Sequence, residues 1–282
     1  MARLFSEFIS DWIQGQLNEI DRDYKMKLND MPRILWFDME ISPLKAYVWQ
    51  LGKQVVRHSQ LDKDFNQWGI ICITYCWNDG KPAQCIDWGY EEQDTAKVVR
   101  EFDEIIKQAD HVIGKNNMRF DNKMLNAARM LNGLPGIPDW VRYTDDLERQ
   151  MRKYFRLPSQ SLDYISEQMG LGGKIKMEFQ DWIDIVEKNG NGRKSFNKMI
   201  KYGKKDVEDT RTLWNKLSEH FEPKFNSATF YDKSLACINC ASSNLKKNGT
   251  RVSGGIKYQT YICNDCARYA GRVSINREDR LK

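Results

Sequence analysis

The sequence feature that most constrains the fold is a hydrophobic run, residues 34–37, that ends in two acids, Asp38 and Glu40. The run has the composition of a β-strand, in which alternate side chains share a face. Asp38 and Glu40 are therefore predicted to point the same way, while Phe37 and Met39 turn into the packed interior. Two carboxylates on one face repel unless a cation lies between them, and Mg²⁺ prefers such oxygen ligands. The alternative is a strand end that carries two solvated acids.

Length and composition predict a globular, cytoplasmic protein. The chain has 282 residues, 41% of them hydrophobic, which is enough for one sizeable domain and a small module. No apolar run reaches the length of about 18 residues that a membrane helix needs. The first residues also lack the basic-then-apolar order of a secretory signal. No membrane association is expected.

Charge is distributed unevenly along the chain. The net charge is +5, yet the residues from 235 to the end hold nine Lys or Arg against three Asp or Glu. A basic C-terminal module on a near-neutral body predicts attraction of that module to a polyanion. A solvated basic surface is the alternative.

Two segments near the start have more than one interpretation. Residues 1–31 carry apolar side chains at helical spacing, which predicts an amphipathic helix that packs as an arm, with a membrane or partner helix as the alternative. Residues 44–67 interleave aromatic and basic side chains. They could form a loop that clamps single-stranded nucleic acid beside the two acids, or a buried second strand.

The rest of the body alternates strand and helix signals. Residues 68–77 and 83–88 predict a hairpin that, with the first strand, gives three consecutive antiparallel strands. Further elements are predicted as a helix over 91–108, a strand from 111 leading into a helix to about 132, a weak strand over 141–144, and helices to about 155, over 161–169 and over 195–220.

Three more residues join the candidate site. Asp121 falls in the first turn of a predicted helix, where a simple capping role is the alternative. Tyr202 and Asp206 are four residues apart on a predicted helix and so share one face, although such pairs are commonly surface pairs. Asp209 is expected on the helix surface, and the acids at 145–146 are expected to cap the helix that follows.

The C-terminal module contains two CxxC pairs separated by 22 residues: Cys237 with Cys240, and Cys263 with Cys266. This spacing predicts a structural zinc site of four thiolates, with no open position for catalysis. Disulfides are the alternative, disfavoured in a reducing compartment. The basic and aromatic residues of the module predicted to contact nucleic acid are Lys246, Lys247, Arg251, Lys257, Tyr258, Tyr261 and Arg268.

Taken together, Asp38-x-Glu40, the segment from Asn116 to Asp121, and Tyr202-x3-Asp206 resemble, in order and spacing, the three motifs of the DEDD exonuclease superfamily, tyrosine variant. The segments 116–125, 155–174 and 206–210 look like phage members, several of which end in a zinc ribbon. The resemblance covers about residues 33–270. One departure is Gly-Lys-Asn at 114–116, where many relatives have Gly-His-Asn.

The resemblance implies an α/β fold, with a ribonuclease-H-like mixed sheet flanked by helices and a small C-terminal zinc ribbon. The expected divisions are an arm at 1–31, an exonuclease domain at 32–225, the ribbon at 235–272 and a tail at 273–282. It also implies a 3′ to 5′ exonuclease acting on single-stranded DNA or frayed ends, in the host cytoplasm if the chain is phage-encoded.

The resemblance further implies two Mg²⁺ or Mn²⁺ ions and one structural Zn²⁺. Asp38 would bridge both catalytic ions, Glu40 and Asp206 would complete the site that activates water, and Asp121 would support the second ion largely through waters. Tyr202 would orient the attacking water, and Asn116 would contact the nucleic acid.

Three alternatives remain open from the sequence. The substrate could be RNA or a structured junction, with DNA the first expectation. The chain could be a non-catalytic binding module. The ribbon could dock a protein, such as a replication or repair partner, instead of nucleic acid. The sequence does not indicate an oligomeric state.

Overall fold

The computed structural model describes residues 32–63, 68–136, 144–173, 175–221, 236–238 and 242–275. The arm predicted over 1–31, the residues after 275 and Cys240 lie outside these ranges. The chain divides into a larger compact unit, Arg33–Phe225, and a second unit that includes the described C-terminal residues. None of the described helices is long and apolar enough to cross a membrane.

A five-stranded mixed sheet forms the centre of the larger unit. Its strands are β1 (Ile34–Ile41), β2 (Ile70–Trp77), β3 (Gln84–Asp87), β4 (His111–Gly114) and β5 (Asp145–Asp146), in the order β3-β2-β1-β4-β5. The first three strands pair antiparallel, as predicted, whereas β4 and β5 run parallel to β1. Of the weak strand predicted over 141–144, residues 141–143 lie outside the described ranges and Thr144 is not in a strand. A short strand follows at Asp145–Asp146.

Six α-helices accompany the sheet among the described residues. They are α1 (Thr95–Ile106), α2 (Asp121–Leu131), α3 (Leu147–Tyr154), α4 (Leu162–Gln168), α5 (Phe179–Glu187) and α6 (Gly192–Leu217). Short 3₁₀ turns lie at His58–Gln60 and Ser218–His220. Five of the helices agree with the sequence prediction, but α5 was not predicted. It has nine residues, Phe179–Glu187.

The two faces of β1 belong to different halves of the core. Leu35, Phe37 and Met39 are buried in one cluster together with side chains of β2 and α1. Trp36 is buried in the other cluster, which contains side chains of α3 and α6. Because strand side chains alternate, Asp38 and Glu40 lie on the Trp36 face, as predicted.

Helix α6 packs closely on β2. Its buried residues recur at helical spacing from Phe196 to Leu217, and this buried stripe includes Gly203 and Asp206. A Cβ added to Gly203 would lie 2.8 Å from Thr74 Cγ2 and 3.0 Å from Thr74 Oγ1. Since Thr74 pairs with Asp38 across the sheet, the missing side chain at Gly203 lets α6 approach the strand pair that carries the first site acid.

Residues 44–61 form an excursion after β1 instead of a buried strand. Trp49 is 99% exposed and Leu51 is 96% exposed. A single antiparallel bridge, between Ala46 and Leu61, joins the two sides of the excursion. The buried-strand interpretation is therefore wrong for the described part of the segment, because these apolar side chains are exposed. Residues 64–67 lie outside the described ranges.

The C-terminal unit contains a three-stranded antiparallel sheet of β6 (Leu245–Ser253), β7 (Ile256–Cys263) and β8 (Tyr269–Ser274), in that order. The β6–β7 turn is formed by Gly254 and Gly255, with φ angles of 56° and 75°. Two consecutive positive φ values are the geometry of a tight hairpin turn, which glycine adopts without strain.

Candidate active site

The five predicted site residues of the larger unit line one cleft of about 310 Å³. They come from three separate segments: β1, the start of α2, and α6. The full lining comprises Asp38, Met39, Glu40, Lys115, Asn116, Phe120, Asp121, Ser161, Leu162, Tyr202, Asp206 and Thr210. The structure thus brings together side chains that are up to 168 residues apart in sequence, from Asp38 to Asp206.

Strand β1 delivers the first two acids at its C-terminal end. Both Asp38 and Glu40 are half-buried, whereas the intervening Met39 is buried. The pairing of β1 with β2 shifts register between Glu40 and Ile41. Such irregularities bend a strand and are frequent beside active sites. The strand therefore ends its regular pairing just where it presents the second carboxylate.

Asp121 is the first residue of α2 and is only 3% exposed. Burial raises its pKa to about 7, although hydrogen bonds from its own backbone and that of Met39, and the charge of Lys115, act in the opposite direction. The bond to Met39 fixes this carboxylate against β1. Its position in the cleft goes beyond the capping role that the sequence left open.

The carboxylates of the cleft act on one another. The pKa of Asp38 lies well above its usual value because of burial first, and then because of the charges of Asp121, Glu40 and Asp206. Lys115 partly offsets this effect. Without a cation, the folded protein holds these acids together at an electrostatic cost. A divalent cation prefers carboxylate oxygens and would relieve the repulsion. Among the described residues, however, the one group of three or more candidate ligand atoms that lie within 4.8 Å of one another is formed by Cys237, Cys263 and Cys266.

Tyr202 and Asp206 share one face of α6, as their spacing predicted. The Tyr202 hydroxyl is hydrogen-bonded to the Asp206 side chain, and its ring meets the Trp182 ring edge-on, with centroids 6.5 Å apart. Burial, followed by the charge of Asp206, raises the pKa of Tyr202 above its ordinary value of 10.0. The phenol therefore remains neutral and a hydrogen-bond donor near neutral pH.

Lys115, where the sequence departs from the motif that it otherwise resembles, lies in the same cleft. Its Nζ is 3.1 Å from Glu148 Oε2, and its side chain is 22% exposed. Its charge lowers the pKa of both Asp38 and Asp121 relative to what burial alone would produce. The chain thus carries a fixed positive charge beside the acids, a feature whose spatial role the sequence did not reveal.

Asp146 holds the turn that leads to Asp121. Its carboxylate accepts hydrogen bonds from the backbone N–H groups of Asn116 (3.0 Å), Met118 (3.3 Å) and Arg149 (3.2 Å). The last of these makes Asp146 the N-cap of α3, as expected. Asn116 has a φ of 61°, so this turn is wound into the left-handed region. One carboxylate therefore fixes both a helix start and the segment before the third acid.

The other acids that were expected outside the site are outside it. The expectation that Asp145 caps α3 is wrong, because Asp146 is the N-cap. Asp145 is buried, and its Oδ2 lies 3.1 Å from His111 Nε2. Asp209 forms an ion pair with Lys205 at 2.9 Å, one turn away on α6. Neither residue lines the cleft.

A second cleft of about 470 Å³ adjoins the first and shares Asn116 with it. Three arginines line it: Arg119 before α2, and Arg149 and Arg152 on α3. The guanidinium group matches phosphate geometry. Asp146 and Glu148 line the same cleft, and Arg152 is paired with Glu148 at 2.8 Å, so a phosphate bound there would compete with that carboxylate. Sequence reasoning missed these residues. The only local signal is the three-residue spacing of Arg149 and Arg152, which places them on one helix face.

In the C-terminal unit, the thiols of Cys237, Cys263 and Cys266 lie within 4.8 Å of one another. The Sγ atoms of Cys237 and Cys266 are 3.7 Å apart. A cluster of this kind can hold a metal ion such as zinc. Cys240, the fourth predicted ligand, lies outside the described residues.

The predicted nucleic-acid contacts of this unit have different surroundings. Lys246, Lys247, Arg251 and Lys257 are exposed on β6 and β7. Tyr258 is stacked under Arg272, with the guanidinium carbon 4.1 Å from the ring centroid, and Tyr261 packs on the cysteine cluster. Arg268 is half-buried in the segment before β8. The exposed lysines and Arg251 form the polar surface of this unit, whereas Tyr261 packs in its small core.

Comparison with known proteins places the fold of the chain. No family model matches it, and no curated protein matches it. Among solved structures it is similar to the family B DNA polymerase from the hyperthermophilic archaeon Pyrobaculum calidifontis, with a TM-score of 0.50 and 15% identity. The chain has a ribonuclease-H-like fold. The match covers 81% of this chain but only 32% of the polymerase.

Proposed function

We propose that the protein is a metal-dependent 3′ to 5′ exonuclease that hydrolyses phosphodiester bonds of single-stranded DNA or frayed ends. The observation that carries this proposal is the convergence of Asp38, Glu40, Asp121 and Asp206, with Tyr202, on one cleft. Three separate segments supply these groups. Acids without a common function would be expected in solvent on the protein surface. Here they are gathered in one cleft, and burial raises the pKa of Asp121 to about 7.

The four carboxylates would hold two divalent ions, Mg²⁺ or Mn²⁺. Two such ions can stabilise the attacking and leaving oxygens of an in-line displacement at a phosphate and activate the attacking water. The acids fit this requirement because they are hard oxygen ligands held together despite their repulsion.

The remaining residues of the cleft would position the reactants. Tyr202 is neutral, and its hydroxyl, already bonded to Asp206, would orient a water molecule. Lys115 would stabilise negative charge at the same place. The hydrogen bonds of Asp146 to the turn would hold Asn116 and Asp121 in position beside β1.

The substrate would be a nucleic acid strand. The adjoining cleft, with Arg119, Arg149 and Arg152, offers a place for a neighbouring phosphate. Similarity to the fold of a DNA polymerase is in keeping with a DNA substrate. We therefore expect DNA ahead of RNA.

The C-terminal unit would be a zinc ribbon that grips the nucleic acid. Its zinc would be held by Cys237, Cys263 and Cys266, together with Cys240. The exposed lysines and arginine of β6 and β7 would contact phosphates. Docking of a protein partner is the alternative role for the same surface.

The experiment is degradation of 5′-labelled single-stranded DNA and RNA oligonucleotides in the presence of Mg²⁺ or Mn²⁺. A ladder of labelled fragments that shorten with time would establish removal of nucleotides from the 3′ end. Asp38→Asn and Asp206→Asn should reduce cleavage to background, and Tyr202→Phe should lower the rate on the order of 100-fold. Asp209→Asn is the matched control, since Asp209 lies one turn from Asp206 but outside the cleft.

The outcomes separate the candidate functions. Early internal cuts would indicate an endonuclease, and preference for the RNA oligonucleotide would change the substrate. Oligonucleotide binding without cleavage under either metal would indicate a non-catalytic recruitment module. Wild-type cleavage by Asp206→Asn, with loss in Asp209→Asn, would overturn the assignment of the site.

A further inference from the structure

The excursion at residues 44–61, called the 44–61 loop below, exposes an unusual amount of apolar surface. Tyr47 is 71% exposed, Trp49 99%, Leu51 96% and Val55 89%. Single exposed apolar residues are ordinary on protein surfaces, but a contiguous group of large ones marks an interaction site. These four belong to one segment of nine residues.

The base of this loop is held by hydrogen bonds. The backbone N–H of Tyr47 donates to the Gln60 carbonyl at 2.8 Å, and that of Asp62 donates to the Lys45 carbonyl at 2.9 Å. Near the return, the backbone N–H of Gln60 donates to the Arg57 carbonyl at 2.9 Å. The loop therefore presents its apolar tip from a fixed base, which lowers the entropic cost of using it for binding.

The charge of the loop favours a polyanionic ligand. No Asp or Glu occurs from residue 41 to residue 61, whereas Lys53 and Arg57 are both exposed there. Lys45 is already paired with Glu187, at 3.0 Å. Aromatic side chains interleaved with exposed cations are the combination that binds single-stranded nucleic acid, by stacking on bases and pairing with phosphates.

The loop leaves the sheet at the end that carries the site. It begins four residues after Glu40, on the strand that presents both first acids. Its Lys45 is tied to Glu187 at the end of α5, and Trp182 of the same helix contacts the Tyr202 ring. Five helical residues correspond to a rise of about 7.5 Å, so the base of the loop lies near the rim of the cleft.

We propose that the 44–61 loop is a clamp for the single strand that enters the cleft. Trp49 would stack on an unpaired base, while Lys53 and Arg57 would contact the flanking phosphates. That the ligand is a nucleic-acid strand rests on the proposed function. The clamp does not depend on catalysis and requires only that the protein binds a single strand.

The test measures binding by the full chain in the presence of a chelator, so that cleavage does not interfere. The probe is a fluorescein-labelled oligo(dT) of roughly 12 nucleotides, followed by anisotropy. Because stacking of one base is worth about 1–3 kcal/mol, Trp49→Ala should weaken binding about 5- to 150-fold, while Trp49→Phe should retain most of the affinity. Met130→Ala is the matched control, since Met130 is 70% exposed on α2.

Salt dependence tests the two cations separately from the stacking. Lys53→Gln and Arg57→Gln should each lower the slope of log affinity against log salt by about 0.7, the value for one phosphate contact on a single strand. Trp49→Ala should leave that slope unchanged. Unaltered affinity in Trp49→Ala would overturn the proposal, and loss of vesicle binding or of self-association in that variant would then assign the loop to a membrane or a protein partner.

A small substrate distinguishes failure of the clamp from failure of the proposed function. The p-nitrophenyl ester of thymidine 5′-monophosphate has no flanking nucleotides, so Trp49→Ala should hydrolyse it at the wild-type rate. Equal losses on this ester and on the oligonucleotide would overturn the clamp in favour of a structural role. Weaker oligonucleotide binding by Trp49→Ala, with no hydrolysis of either substrate by any form, would support the clamp and refute the nuclease.

Discussion

Replacing Gly203 by alanine tests how tightly the site depends on the packing of α6. The new Cβ would lie 2.8 Å from Thr74 Cγ2, whereas ordinary contacts begin at 3.4 Å. Either α6 or Thr74 must therefore move by about 0.6 Å, carrying Tyr202 and Asp206 relative to Asp38. A misplacement of about 1 Å can lower a catalytic rate about 100-fold, so a shift of this size should lower it roughly 10-fold.

The same substitution should affect stability less than activity. Overpacking a core costs about 1–3 kcal/mol, while replacing a helical glycine by alanine gains about 1 kcal/mol. The net loss in the free energy of unfolding is then about 0–2 kcal/mol, which urea denaturation can measure. The functional assays are the rate of cleavage of a single-stranded oligonucleotide and the affinity for Mn²⁺, which does not require turnover.

Two further variants make the reasoning refutable. Thr74→Ala removes the two atoms that lie within 3.0 Å of the new Cβ and leaves only Thr74 Cβ, at an ordinary 3.5 Å. Gly203→Ala with Thr74→Ala should therefore recover much of the rate and metal affinity. Gly190→Ala is the matched control, because a Cβ there meets nothing within 4 Å. Full activity and metal affinity in Gly203→Ala, or no recovery in the double variant, would show that close packing of α6 does not set the site.

Two other predictions concern protonation and zinc. Because the folded pKa of Asp121 is about 7 and its ordinary value is 3.8, the folded state binds the extra proton between these values. Through Asp121 alone, the stability of the metal-free protein should therefore rise by about 2 kcal/mol from about pH 8 to about pH 5.5. Asp38, whose pKa is also raised, should add to this rise. Asp121→Asn should reduce the rise and exposed Asp163→Asn should keep it, whereas equal pH slopes in all three would contradict the assignment. Denatured wild-type protein should release about one zinc per chain, detected with a colorimetric chelator. Cys263→Ser should release much less zinc, whereas the control Cys85→Ser should release as much as wild type. Undiminished zinc in Cys263→Ser would refute the site.

Local sequence patterns predicted which residues share a face of a single strand or a single helix. Alternation along β1 placed Asp38 and Glu40 on one face, and helical spacing did the same for Tyr202 and Asp206. Both arguments need only the geometry of one strand or one helix. That Asp121 belongs with them came from the family resemblance, because its own position at a helix start had an equally good local explanation.

Features that depend on packing between segments could not be predicted in this way. The hydrogen bonds of Asp146 to the turn at Asn116 join residues 30 positions apart. The pairing of Lys115 with Glu148, and the grouping of Arg119 with the α3 arginines, likewise arise only once β4 and β5 lie side by side. Exposure of Trp49 was equally hidden, since its segment has a composition that also suits a buried strand.

The origin of the site in β1 and α6 has a consequence for how the protein acquires activity as it folds. These are the first and the last regular elements of the larger unit among the described residues, apart from the closing 3₁₀ turn. Contacts between such distant segments close a long loop and tend to form late. A partly folded chain can therefore possess the sheet while still lacking Asp206 and Tyr202 in place. We expect the hydrolytic activity proposed above to emerge only in the final docking step, in refolding as well as in synthesis.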